Sequence, residues 1–259
     1  MTEPAAWALH TDLDLDTCNL QLAALEDAGL LGLVEEDGST TAYFASRVEG
    51  LPLQGTWQAV PDEDHLARWR ASITPVRVGP FVVTPPWIAA PEDAIALVIE
   101  PGQAFGTGHH ETTLSCLAAL AELDLTAARV VDVGTGTGVL AIAAARRGAA
   151  EVIAVDTDPL AITVARENIA ANRVRVQLVH GSADAVEGRA DVVLANLDTA
   201  THTVLAPALA ALLTPGGVLV ASGVACERRN EAWEVFTATG LAVDAVDGEE
   251  WTRFICRRP

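Results

Sequence analysis

The chain has 259 residues, enough for one large domain or two with a sizeable core. With 50% hydrophobic and 20% charged residues, its composition excludes an intrinsically disordered chain. The net charge of -19 comes from 35 acidic and 16 basic residues, all of the latter arginine. It argues against a surface built to grip a phosphate backbone and suits a basic partner.

In chain order, "AAWALH" reads as a strand. Leu15, Cys18, Leu22 and Leu25 then recur at helical spacing before Gly29. "LLGLV" and "TAYFAS" flank "EEDGST", a hairpin pattern turning at Asp37-Gly38. These elements make residues 1–55 a small α+β domain. Residues 56–95 are rich in proline and tryptophan and read as a connector, ordered by Trp57, Trp69 and Trp87. It holds one short helix candidate, "PDEDHLARWRASI".

From residue 96 to 259, apolar strand-like runs alternate with helix-length stretches. "RVVDVG", "EVIAVD", "RVQLVHG", "ADVVLANL" and "GVLVASG" are the strands, and two more close the chain. That alternation predicts an α/β domain with a doubly wound, largely parallel sheet. Residues 199–226 carry no charged side chain, but "TPGG" at 214–217 divides them into a helix and a strand, which argues against a membrane span. Residues 1–20 hold acids and no long apolar run, so no signal peptide is expected. Cys18, Cys116, Cys226 and Cys256 are too far apart in sequence for a metal or redox pair. Reduced thiols and a cytoplasmic location follow as expectations.

Ligands of doubly wound sheets sit beyond the carboxyl ends of the strands. Asp132, Gly134, Asp156 and Asn196 fall at those ends. The loop "DVGTGTG" suits two ligands. Gly136, Gly138 and Ala141 satisfy the G-x-G-x-x-A spacing of a dinucleotide site, and Asp156, 20 residues after Gly136, suits ribose hydroxyls in either case. Asp132 discriminates: a pyrophosphate beside it is repelled by about 1 kcal/mol per charge pair in water, and by more in a cleft. S-adenosylmethionine has no phosphate and carries a sulfonium and an ammonium, so an acidic strand end favours it as the cofactor.

Upstream, "EPGQAFGTGHHETT" places three glycines before a helix whose first turn holds Thr112 and Thr113. Its N–H groups suit the cofactor's carboxylate. A metal site from His109, His110 and Glu111 is disfavoured, because adjacent residues seldom point at one ion. Asn196 ends a strand and offers a carbonyl oxygen to an amine. His110 and His202 are the candidate bases.

Those stretches, "EPGQAFGTGHHETT", "VVDVGTGTGVLAIAA", "VDTDPLAI" and "ANL" in that order, resemble the bacterial ribosomal protein L-eleven methyltransferase family. The resemblance covers residues 96–259 closely and 1–95 in general plan, through "ARWR" and "VVTPPW". It implies a seven-stranded Class I methyltransferase sheet and a substrate-docking N-terminal domain. It also implies transfer to lysine ε-amines and to the N-terminal α-amine of the large-subunit stalk-base protein. Implied cofactor contacts are Thr113, Gly134, Asp156 and Asn196; position adds Phe105, Asp132, Gly136, Gly138 and Leu197. Asn196 and the Leu197 backbone carbonyl would orient the amine, with His110 as a further catalytic candidate. A monomer without metal, nucleic acid or membrane is expected. Where many relatives read "GTGTHPTT", this chain has "GTGHHETT", which leaves His109 and Glu111 without an implied role. Asp198 also sits at a variable spot, where it would attract a cationic amine or do nothing.

Methyltransferases of release-factor glutamines or of bases usually carry Asn-Pro-Pro-aromatic where this chain has Asn196-Leu197-Asp198-Thr199, so a stacking platform is missing. Another small-molecule or protein amine, or a non-catalytic cofactor-binding assembly factor, are the remaining alternatives.

Overall fold

The computed structural model describes residues 6–19, 21, 24–25, 28–36, 38–60, 73–101 and 110–259. The chain forms two compact units, residues 1–74 and 75–259.

The first unit is built on a four-stranded antiparallel sheet. Its strands are β1 (Ala6–Thr11), β2 (Leu30–Glu36), β3 (Ser39–Phe44) and β4 (Thr56–Val60), in the order β2-β3-β1-β4. Gly38 takes φ +78° in the β2–β3 turn, while its expected partner Asp37 lies outside the described residues. A short helix, α1 (Leu15–Asn19), opens on Asp14, whose carboxylate accepts from the Thr17 N–H at 2.7 Å. Cys18, Leu25, Leu9 and Phe44 fill the core, with Trp57 tilted onto Phe44 at 5.4 Å between ring centroids. Trp57 lies in β4, inside the stretch expected to be a connector. The helix candidate at 61–72, with Trp69, lies outside the described residues.

The second unit begins with a small three-stranded sheet, β5 (Val76–Val78), β6 (Phe81–Thr84) and β7 (Ile95–Val98). Helix α2 (Glu111–Glu122) leads into the main sheet. That sheet has seven strands: β8 (Arg129–Val133), β9 (Glu151–Asp156), β10 (Gln177–His180), β11 (Ala190–Asn196), β12 (Leu213–Ala225), β13 (Ala242–Asp247) and β14 (Trp251–Arg257). Their order is β10-β9-β8-β11-β12-β14-β13, with β14 antiparallel to both neighbours and the others parallel. Between them run α3 (Val139–Arg146), α4 (Pro159–Asn172), α5 (Thr199–Leu212) and α6 (Arg229–Ala238).

Helices cover both faces, which is why the central strands read as unbroken apolar runs. Val130, Ala154 and Leu194 pack with α2, α3 and α4; Val131, Ile153 and Val193 pack with α5 and α6. The uncharged run 199–226 divides into α5 and β12, and among the described residues no helix is long and apolar enough to cross a membrane. All four cysteines are free thiols, and Cys18, Cys116 and Cys256 are buried.

Candidate active site

The strand order changes direction between β8 and β11, and the site lies at their carboxyl ends. The loop after β8 is held from below by β9. Gly134 and Thr135 both donate their N–H to the Val155 carbonyl, at 2.9 and 3.1 Å. Gly136 donates to Asp156 Oδ2 at 2.9 Å. Gly134, at φ +73°, has a second reason to be glycine: a Cβ there would overlap the Leu197 side chain.

Asp156 ends β9, and its other oxygen accepts from the Asp158 N–H at 3.0 Å. Asp158 in turn caps α4 through Leu160 N–H, with Pro159 at the first helical position. Further along α4, two buried asparagines replace a strand partner. Asn172 pairs with both backbone groups of Val98, at 2.9 and 2.6 Å. Asn168 accepts from the Glu100 N–H and donates to the Thr137 carbonyl, so it ties the glycine loop to the end of β7.

Helix α2 starts at His110, whose Nδ1 accepts from the Thr112 N–H and meets the Thr112 hydroxyl at 2.8 Å. Asn196, at the end of β11, donates its Nδ2 to the Thr113 hydroxyl at 3.3 Å. Its Oδ1 is shielded from solvent and has no hydrogen-bond partner among the described residues. A buried acceptor left this way costs about 1–3 kcal/mol, which a donor from a ligand recovers. Leu197 donates its N–H to the Ser222 carbonyl, and its own carbonyl lies against Gly223.

These elements surround a cavity of about 880 Å³. His110, Gly134, Gly136, Asp156, Asn196 and Leu197 line it, which brings together six of the expected residues. Gly138 caps α3 and lies against Ala165, and Thr113 sits behind Asn196; neither lines the cavity. Phe105 and His109 lie outside the described residues.

Asp132 requires a correction. It was expected to face the ligand, but it is 1% exposed and does not line the cavity. Its position in β8 matches Leu194 in β11, so it shares the α2 face of the sheet with that buried leucine. The Thr135 hydroxyl donates to its Oδ2 at 2.6 Å, and the loop covers it. The acids at the wall are Asp156, Asp158 and Asp198.

Burial pushes the Asp132 carboxyl up to about 7, against the hydrogen bond from Thr135. Between the unfolded value near 4 and this folded value, the native state holds a proton that the unfolded state has released. Stability therefore falls as pH rises through that window, by up to a few kcal/mol. The ligand-free Asp132→Asn variant is expected to gain stability over the parent between pH 5 and pH 8 by ~1 kcal/mol or more. Denaturant titration at both pH values checks this, and a pH-independent difference contradicts it.

His202 is also corrected as a candidate base. It is fully buried and bonded through Nε2 to the Ser222 carbonyl at 2.8 Å, and burial lowers its pKa. It is a neutral residue of the core, packed edge-on to Phe236. Asp198 caps α5, accepting from the Thr201 N–H and hydroxyl at 2.9 and 2.7 Å. The hydroxyl bond is the main cause holding its carboxyl below the usual range.

Trp251 and Gly223 line the cavity without having been singled out in the sequence. Trp251 opens β14 and Gly223 lies within β12; only the pairing of these two strands brings both to the site. Val204 and Leu160, exposed on α5 and α4, form its apolar rim. Among the described residues, no group of three or more His, Cys, Asp or Glu side chains is placed to hold a metal ion.

The family model described as "Ribosomal protein L11 methyltransferase (PrmA)" matches residues 22–259. A curated relative of that name from Thermus thermophilus is 39% identical over 247 residues, covering 94% of this chain and 96% of its own length. One from Deinococcus radiodurans is 38% identical over 262 residues, with the same coverages. A solved structure described as ribosomal protein L11 methylase, from Lactobacillus delbrueckii subsp. bulgaricus, superposes with a TM-score of 0.65 at 28% identity. It covers 70% of this chain and 96% of that one. With the match extending over nearly the whole chain and through every element of the site, the chain belongs to the ribosomal protein L11 methyltransferase family.

Proposed function

We propose that this methyltransferase moves methyl groups from S-adenosylmethionine to lysine ε-amines and the N-terminal α-amine of ribosomal protein L11, at the cavity bounded by Asp156, Asn196 and Leu197. The observation that carries this reading is the Asn196 Oδ1, without a partner among the described residues, beside a glycine loop, with a carboxylate across the cavity wall. S-adenosylmethionine, when bound, supplies an electrophilic methyl group on a cationic sulfur.

The site fits that cofactor. Gly134 and Gly136 keep the loop backbone free of side chains, and Asp156 has acceptor capacity left for ribose hydroxyls after its two backbone bonds. Asp156 and Asp158 give the wall negative charge, which suits a cationic ligand and opposes a pyrophosphate.

The attacking amine must be neutral. At pH 7, removing the proton from a free lysine costs about 4–5 kcal/mol, and from an α-amine about 1 kcal/mol. A cation nearby lowers that pKa. Asn196 Oδ1 and the Leu197 carbonyl accept the amine's N–H groups and point its lone pair at the methyl carbon. Holding nitrogen, carbon and sulfur in line supplies several kcal/mol. Of the two candidate histidines, His110 lines the cavity and His202 does not, which favours His110; its Nδ1 lone pair is engaged by the Thr112 N–H, so taking the proton requires that cap to release.

The N-terminal residues, 1–55, serve in this reading to recognise the protein substrate. The enzyme acts as a cytoplasmic monomer without binding nucleic acid, which the charge of -19 supports.

Asp156→Ala tests the cofactor assignment. Losing charged hydrogen bonds to ribose is expected to raise the calorimetric Kd for S-adenosylmethionine on the order of tenfold to a hundredfold. An unchanged Kd removes Asp156 from the site.

A further inference from the structure

Glu111 starts α2, but its carboxylate is engaged far away in sequence. Oε1 accepts from the Glu249 N–H at 2.8 Å and Oε2 from the Glu250 N–H at 3.3 Å. The turn it grips runs Asp247-Gly248-Glu249-Glu250 and joins β13 to β14. A Cβ on Gly248 would overlap Oε1, so glycine is the residue that lets the carboxylate in. A third carboxylate beside Glu249 and Glu250 is unfavourable unless something offsets it, and two N–H groups aimed at its oxygens do so.

The residue after this turn is Trp251. Its ring meets His110, the residue before Glu111, at 5.2 Å between centroids and 63° between planes. Both rings line the cavity that holds Asn196 and Leu197. The Trp251 carbonyl also accepts from the Gly248 N–H at 2.8 Å, its backbone pairs with Ala225 of β12, and the Glu250 carbonyl before it accepts from Cys226. His110, the cap of α2, and Glu111, its first residue, therefore hold the ring and the turn before it.

We propose that Glu111 is a positioning residue for methyl transfer: by pinning the β13–β14 turn to the start of α2, it fixes Trp251 as the aromatic wall that sets how the substrate amine approaches. This rests on the reading that the amine lies beside Asn196 and Leu197. A planar ring held edge-on to His110 confines the alkyl chain of the amine, and a small loss of that confinement is costly where the reacting atoms must stay in line.

The test compares Glu111→Ala, Glu111→Gln, Trp251→Ala and the Glu111/Trp251 double alanine variant, with ribosomal protein L11 and S-adenosylmethionine as substrates. Glu111→Ala is expected to lower kcat/KM for the protein substrate on the order of tenfold. Cofactor Kd and Tm should stay near the parent values. Glu111→Gln, which keeps one acceptor, should fall between, and the double variant should be no worse than Trp251→Ala. Losses that multiply in the double variant, or an unchanged kcat/KM in Glu111→Ala, overturn the proposal. The Trp251 indole N–H resonance, assigned with Trp251→Phe, gives a readout independent of turnover. It should be single and sharp in the parent and shifted or broadened in Glu111→Ala and Glu111→Gln. A parent enzyme that fails to methylate the protein sinks the functional reading, whereas an indole resonance that ignores Glu111 sinks the positioning role.

Discussion

Asn196→Ala is expected to lower kcat on the order of a hundredfold or more, with the cofactor Kd changed by much less. The substitution removes an oxygen that has no partner among the described residues, so no bond described through Oδ1 is lost. It does lose the Nδ2 bond to Thr113, a contact of 3.3 Å. The stability cost is therefore small, about 1 kcal/mol. The catalytic cost is large, because an amine without its acceptor rotates away from the line of attack. Asn196→Asp should also be slow, since a carboxylate there favours the ammonium form, which cannot attack. Single-turnover rates with the protein substrate check both, and a normal rate in Asn196→Ala removes the orienting role.

Gly223→Ala is the second large effect. Gly223 has φ +88°, which costs a residue with a side chain about 1–3 kcal/mol. The added Cβ also overlaps the Leu197 carbonyl and sits 2.8 Å from its carbon, and these are backbone atoms that yield only if β11's end moves. Leu197 fills the space over Gly134, so the shift reaches the glycine loop. The expected result is a fall in Tm together with losses in both kcat and cofactor affinity. Thermal unfolding and calorimetry on the same sample check this. A fall in Tm with unchanged turnover of the folded fraction means that Leu197 plays no part at the wall.

The fold was legible because the central strands repeat one pattern. "VVDV", "VIAV" and "VVLA" are buried on both faces, and each is followed by a capped or glycine-led helix. The acids and the asparagine at the strand ends were legible for the same reason. The direction of Asp132 was not. A strand's alternation gives two faces, but it does not say which side chain at the rim emerges past the loop and which is covered by it. Trp251 and Gly223 were hidden because their place depends on β14 folding back antiparallel between β12 and β13. Glu111 looked like an ordinary first-turn acid; its partners lie 138 and 139 residues away. The Asn172 bonds to Val98 of β7 and the Asn168 bond to Glu100 beyond it were hidden likewise, since nothing local distinguishes a buried helical asparagine from an exposed one.

Mass spectrometry after incubation of ribosomal protein L11 with the purified chain and labelled S-adenosylmethionine shows where the methyl groups go. Label is expected on lysine ε-amines and on the N-terminal α-amine, and is lost in Asn196→Ala. Cofactor bound at the cavity with no label on the protein would contradict the proposed transfer.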